Sequence, residues 1–423
     1  MDRPLSDEDL VILGLESDTV AGHTCKVLVL DASIDPERLR EALASRLEQA
    51  PELSLRLGSV NGDTCWIPGE IDLSQHVVAD PSDGPLDEAG LLGAVARVFE
   101  RRLDRTRPLW RIDVIGDLAT GGSALVWTIH HSLADGTTAM RIGREAIWVQ
   151  QTDPTRPPDS APRPARAAQQ TAHRRSQELL TLAREAPHLW HRSPFAGRID
   201  NRRSVAFAST DLGRLRQAAA TACQATVNDA VLTVVGGGVR RWLEAHHDRL
   251  GHVRVKVPVS LHGDPAAHDS AQAGNRDSFF CLDVPVSPAD PLRRLAAVRS
   301  ATRIRKAEHD AERLDALMNE LATISPRLRG FANRVLASPR AFALNVSNVP
   351  GPTGSVTVAG VPVRGLYSIA EIGERHALRA AVVSYDGMLR FGLCADPTLV
   401  GDVDSLAVEI EADAEELISA ATP

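Results

Sequence analysis

The sequence predicts an α/β protein of two domains, each mixing strands and helices. Three observations carry this reading. At 423 residues the chain exceeds what one ordinary core serves. Strand-like and helical patterns recur on both sides of a proline-rich stretch, without regular strand–helix alternation. The composition, 43% hydrophobic and 24% charged, is that of a globular protein rather than a disordered chain or a membrane-embedded body.

In chain order, Thr24 to Leu30 reads as a strand. Asp35-Pro36 followed by Leu39, Leu43 and Leu47 reads as an amphipathic helix with Asp at the N-cap and Pro at its first position. Leu92 to Leu103 has helical spacing. Arg111 to Ile115 and Ser123 to His131 read as strands separated by the Gly121-Gly122 turn, and Gly136 to Val149 is expected to be helical. Asp153 to Ala165 then holds five prolines, which suit an extended linker and not a helix interior. Ala167 to Ala186 has helical composition. Further helices are expected at Asp211 to Cys223, Asn228 to His246, within Pro291 to Ala322, and from Asp402 to Ala420. Strands are expected at Val253 to Pro258, Phe342 to Ser347, Leu378 to Tyr385 and Leu389 to Cys394. The division that results is a domain at 1–152, a Pro/Arg-rich connector at 153–203 and a second domain at 204–423.

Charge narrows the function. With 47 basic and 55 acidic residues the formal net charge is −8, which argues against a nucleic-acid binder. Lysine occurs only at 26, 256 and 306. From Pro154 to Arg203, ten arginines face four acids. That excess suits either a solvated linker or a site for phosphates of a cofactor or of lipid headgroups. Five scattered cysteines without a CxxC pair fit a reducing compartment better than a disulfide framework or a zinc site. Asp7, Glu8 and Asp9 precede only a short apolar run, unlike a signal peptide, and the apolar stretch at Ala230 to Val239 is too short to span a bilayer. A cytoplasmic protein is expected, with peripheral attachment to a membrane or lipid-droplet surface left open.

The sharpest chemistry lies in His130-His131-Ser132-Leu133-Ala134-Asp135-Gly136, between an apolar strand and a helix. An imidazole titrates near neutrality and suits general-base work. Asp135 can fix the turn, and Gly136 permits close backbone approach. Strand alternation places His131 with Trp127 and Ile129, and His130 with Val126 and Thr128 on the other face. The two rings then cannot share one substrate unless the strand breaks here. A buried, satisfied histidine pair is the plainer reading of these residues. No third ligand suggests a metal.

The pattern HHxxxDG resembles the acyltransferases of the chloramphenicol acetyltransferase-like fold, and within them the bacterial wax ester synthase/diacylglycerol acyltransferases. Ordered blocks extend the likeness along the chain: Leu5-Ser6 with Asp9, Leu103-Asp104-Arg105, Pro108-Leu109-Trp110, Thr226 to Leu232, Val257 to Leu261, Gly274-Asn275, Ser347 to Pro352, and Ser384-Tyr385-Asp386-Gly387. The resemblance implies two chloramphenicol acetyltransferase-like domains, each a mixed sheet with flanking helices, and an active site at their interface. It implies acyl transfer from acyl-CoA, a substrate and not a bound cofactor, to diacylglycerol or a long-chain alcohol. His131 is then the base, His130 a structural support, Asp135 and Gly136 shape the loop, and Asn228 is the oxyanion candidate. Pro108, Trp110, Asp229, Asn275, Ser347, Asn348 and Ser384 fall among the substrate-binding residues.

The chain departs from the pattern at Ala21 to Cys25, where only His23 is kept, at His262 in place of Arg, at Glu371 in a segment lacking a proline, and at Arg379 in place of Asn. These departures bear on the acceptor and the chain length. The rivals are acylation of a specialised metabolite, with an acyl donor bound to a carrier protein, and a catalytically silent lipid-binding protein.

Overall fold

The computed structural model describes residues 3–82, 84–151, 193–246, 252–260, 277–307 and 341–422. The connector up to residue 192, His262, Asn275 and the helical expectation beyond Ala307 lie outside the described residues.

The first part of the chain runs β1 (Arg3–Pro4), α1 (Asp7–Gly14), β2 (His23–Leu30), α2 (Pro36–Ala44), β3 (Leu55–Val60), β4 (Asp63–Pro68), α3 (Leu73–His76), β5 (Val77–Ala79), α4 (Glu88–Glu100), β6 (Trp110–Ile115), β7 (Ala124–His130), α5 (Gly136–Ile142) and β8 (Val149–Gln150). The second begins with β9 (Ser204–Asp211), α6 (Leu212–Cys223), α7 (Val227–His246), β10 (His252–Ser260), β11 (Asp277–Pro285) and α8 (Pro291–Ala307). It ends with β12 (Leu344–Pro350), β13 (Val356–Val358), β14 (Val361–Ala370), β15 (Leu378–Tyr385), β16 (Met388–Ala395) and α9 (Val403–Ala421).

These strands form a small sheet, β1-β4-β3, and two large mixed ones. One is ordered β5-β6-β7-β2-β14-β13-β8 and the other β11-β10-β12-β15-β16-β9. Local chemistry explains the elements. Asp35 caps α2 by accepting the Glu37 amide, with Pro36 at its first position. The helix expected from Gly136 to Val149 is shorter: α5 ends at Ile142 and a π-helical turn follows over Gly143–Ile147. Gly143 allows it, because a Cβ there would lie 1.9 Å from the Trp148 ring.

Alternation along β7 sorts its side chains into two cores. Leu125, Trp127 and Ile129 join the cluster with α2 and α5, while Ala124 and Val126 join the larger cluster built on α7 and α9. The division at 152 and 204 does not contain one feature. β13 and β14, from the C-terminal region, cross over and complete the first sheet, with β14 pairing antiparallel to β2 from Val363–Leu30 to Ala370–Thr24. Tyr385 clamps the crossing, its hydroxyl donating to the Val363 carbonyl at 2.7 Å and accepting the Val356 amide at 3.2 Å.

Candidate active site

The motif begins where β7 stops. The strand ends at His130, one residue earlier than expected, because the Leu133 and Ala134 amides turn back onto the His130 carbonyl. His131 still donates its amide to the Gly22 carbonyl, but its side chain leaves from a turn, so strand alternation does not govern it.

His130 is buried against Glu16, Gly22 and Ser132. The Ser132 amide donates to its Nδ1 at 3.1 Å. That assigns the ring proton to Nε2, which donates to Glu16 Oε1 at 2.8 Å. Glu16 also takes Arg105 at 2.6 Å and Arg102 at 3.6 Å. Burial opposes ionisation of Glu16, but the bonds from His130 and Arg105 outweigh it and lower the carboxyl below its ordinary value. A cavity of about 130 Å³ opens here, lined by Arg102, Leu103, Leu109 and the same His130 and Glu16. Gly22 is required beside it: its φ is +71°, and a Cβ would meet His130 Nε2 at 2.9 Å.

His131 is half-buried. Burial first, then the Arg379 guanidinium, push its imidazole down to about 4, against the opposing pull of Asp135. It is therefore neutral, and able to accept a proton, at neutral pH. Asp135 is buried at the N-cap of α5, where Oδ1 accepts the Thr138 amide at 2.7 Å. Gly136 packs directly on β12, since a Cβ would meet Val349 Cγ2 at 2.9 Å. The motif loop thus abuts the second sheet. Register puts Val349, Ser347 and Asn345 of β12 on one face, with Arg379 and Ala381 of β15 beside them.

The remaining sequence-predicted residues divide. Ser347 shares the face that meets the motif, whereas Asn348 falls on the opposite one with Val346 and Val382 of the core. Trp110, expected among the substrate-binding residues, is buried in the core: its indole donates to the Leu53 carbonyl at 2.7 Å and stacks on His76 at 4.3 Å. Pro108 is buried at the entry to the same strand. Asp229 is likewise buried and hydrogen-bonded within the protein. Oδ2 accepts the Thr226 amide and hydroxyl, both at 2.8 Å, and Oδ1 accepts the Thr302 hydroxyl at 2.6 Å, tying α7 to α8. Asn228 is half-buried in the first turn of α7. The Ser384 hydroxyl accepts the Gly351 amide at 3.2 Å and so holds the Pro-Gly-Pro turn.

Sequence reasoning missed Glu16, 114 residues from His130, and Ser132, for which no spacing rule gave a signal. It also missed Lys26, buried in the middle of β2, although the scarcity of lysine set that residue apart.

The described residues hold no group of three His, Cys, Asp or Glu placed to bind a metal ion, and no helix long and apolar enough to cross a membrane. Residues 5–186 match the wax ester synthase/diacylglycerol acyltransferase catalytic domain, and 273–418 match the corresponding C-terminal domain. A Mycobacterium tuberculosis protein named for diacylglycerol O-acyltransferase activity is 30% identical over 97% of this chain and 90% of its own length. Another, from the same organism and similarly named, is 28% identical over 82% of each chain. In fold, the wax ester synthase/diacylglycerol acyltransferase of Marinobacter aquaeolei superposes with a TM-score of 0.72, at 23% identity and 99% coverage of both chains. The first condensation domain of the calcium-dependent antibiotic synthetase gives 0.62, at 18% identity, covering 100% of this chain and 96% of that one. The chain belongs to the wax ester synthase/diacylglycerol acyltransferase family.

Proposed function

We propose that the protein is an acyl-CoA-dependent O-acyltransferase that transfers a fatty acyl group to a lipid alcohol, with its reaction centre between the two large sheets. The observation that carries this reading is His131: a neutral imidazole at the turn where the motif loop meets β12 and β15. His131 takes the proton of the acceptor hydroxyl as the alkoxide oxygen attacks the thioester carbonyl. The tetrahedral oxyanion collapses, the carbon–sulfur bond breaks, and His131 returns the proton to the thiolate. Positioned proton transfer of this kind contributes on the order of 10²–10⁴ in rate. Asn228 is the assigned oxyanion donor, a role worth about 10²–10³ in kcat. His130 and Asp135 hold the loop; Gly136 keeps it against the second sheet.

Thiol release from palmitoyl-CoA, measured on anionic vesicles carrying dipalmitoylglycerol or hexadecanol at low and high salt, tests this. Turnover is expected for the wild type. His131→Ala is expected to lose it at an unchanged melting temperature. Salt-sensitive vesicle binding would assign the Arg-rich connector to the lipid surface. A fully active His131→Ala would end the proposal.

A further inference from the structure

The outward face of α1 presents apolar side chains to water. A helix with one face on the core ordinarily turns charged residues outward. Here the inward face holds Asp9, buried and accepting the Trp66 indole at 3.4 Å, and Leu13, packed on the core of the first sheet. Helical spacing puts Leu10, Val11, Gly14 and Leu15 on the other side. Leu10 is 47% exposed and Leu15 55%, and among the described residues the next such large apolar side chain along the chain is Val149. An exposed apolar patch of this kind marks an interaction surface.

Arginines border this face. Glu16, next after Leu15, binds Arg105 at 2.6 Å and Arg102 at 3.6 Å, so both guanidiniums lie against the end of α1. They are 53% and 45% exposed, whereas the Glu16 side chain beneath them is 10% exposed. Arg101 lies in the same way over the buried Asp113. Arg101 to Arg107 holds four arginines and one acid, Asp104, in a chain of net charge −8. With the cations outermost and their carboxylates underneath, this surface attracts anions at short range although the whole molecule is acidic. Arg102, Leu103 and Arg105 also wall the cavity beside His130.

We propose that α1 and the arginines at its end are the surface on which the protein settles on an anionic phospholipid layer. Leu10 and Leu15 enter the headgroup region, and Arg102 and Arg105 meet the phosphates. Apolar residues flanked by basic ones match the two zones of such a layer. A second copy of this chain matches them less well, because a two-fold contact would bring two sets of exposed arginines together. Seated so, the cavity beside His130 lies against the layer that carries lipid alcohols. The inference adds an interaction surface to the transferase reading and stands without it.

Co-flotation with vesicles tests it, using phosphatidylcholine alone and phosphatidylcholine with an equal part of phosphatidylglycerol, at low and high salt. The wild type is expected to favour the anionic vesicles at low salt. It should keep part of its binding at high salt, where the arginines are screened and the leucines are not. Leu10→Ser with Leu15→Ser is expected to weaken binding about tenfold or more at either salt, the scale of returning half of two leucine side chains to water. Arg105→Gln is expected to weaken it about fivefold, at low salt and on anionic vesicles only. Melting temperatures show that each variant is folded, and that of the leucine variant should be unchanged. Absence of wild-type binding, or binding that neither variant weakens, would overturn the proposal. Equal binding to both vesicle types would overturn the choice of an anionic layer. A leucine variant that keeps its vesicle binding and sediments as monomer where the wild type is a dimer would give the face to a second copy instead. In detergent micelles carrying hexadecanol, the leucine variant should release thiol from palmitoyl-CoA at the wild-type rate. Vesicle binding as described, with no thiol release by any of these proteins, would uphold this surface and defeat the transferase reading alone.

Discussion

His130 and His131 are chain neighbours in unlike surroundings, and the difference has a pH signature. Burial and Arg379 hold the His131 imidazole near 4, against an ordinary 6.5. Between those values the unfolded chain takes up a proton that the folded one refuses, so folding stability falls as pH drops from 6.5 toward 4. In the folded protein the imidazole stays in its proton-accepting form across the same window, as the proposed base must. The acid limb of kcat/KM is therefore expected well below pH 6, and a limb centred near 6.5 would contradict the environment described for His131. The sequence singled out the motif and expected unlike roles for its two rings. It could not supply Arg379, whose charge acts on His131 from the other sheet, or Glu16, whose bond to His130 depends on how the N-terminal segment packs. Both couplings join distant segments, and periodicity carries no information about them.

Elements were legible where one rule sufficed. Alternating or continuous apolar runs located β2, β6, β7, β15 and β16, and the Asp-Pro cap located α2. The strand at β14 went unread, and α5 is shortened because Gly143 yields to the Trp148 ring. At the start of α7 the Asn-Asp pair suggested a site, and its Asp229 exchanges hydrogen bonds with Thr226. Removing the Asp229 carboxylate strips Thr226 and Thr302 of their acceptor. Asp229→Ala is expected to cost about 1–2 kcal/mol in urea unfolding, the scale of a lost N-cap. Activity at a temperature where the variant is folded should be retained. A variant with normal stability and a raised KM would return Asp229 to the substrate.

Across the whole molecule, a buried ion pair gathers segments that sequence separates. Arg203, at the end of the connector, bonds Glu371 just after β14 and also donates to the Thr19 carbonyl, while its amide donates to Glu100 of α4 at 2.7 Å. Both side chains are almost fully enclosed, so removing one leaves an uncompensated charge, at about 3–5 kcal/mol. Removing both relieves that penalty. In a double-mutant cycle, Arg203→Met with Glu371→Gln should therefore destabilise by less than the sum of the single changes; an additive result would make the pair incidental.

The strand crossing has a consequence for how the protein is made. Lys26 and its hydrogen-bond partner Ser368 are 342 residues apart, so the β2 edge leaves the ribosome long before the strand that covers it. Over that interval the edge has exposed amides and carbonyls, with apolar residues along the strand, and such an edge recruits other chains. The nascent polypeptide must be kept from self-association until β14 emerges, so yield in a heterologous host is expected to rise with chaperone capacity.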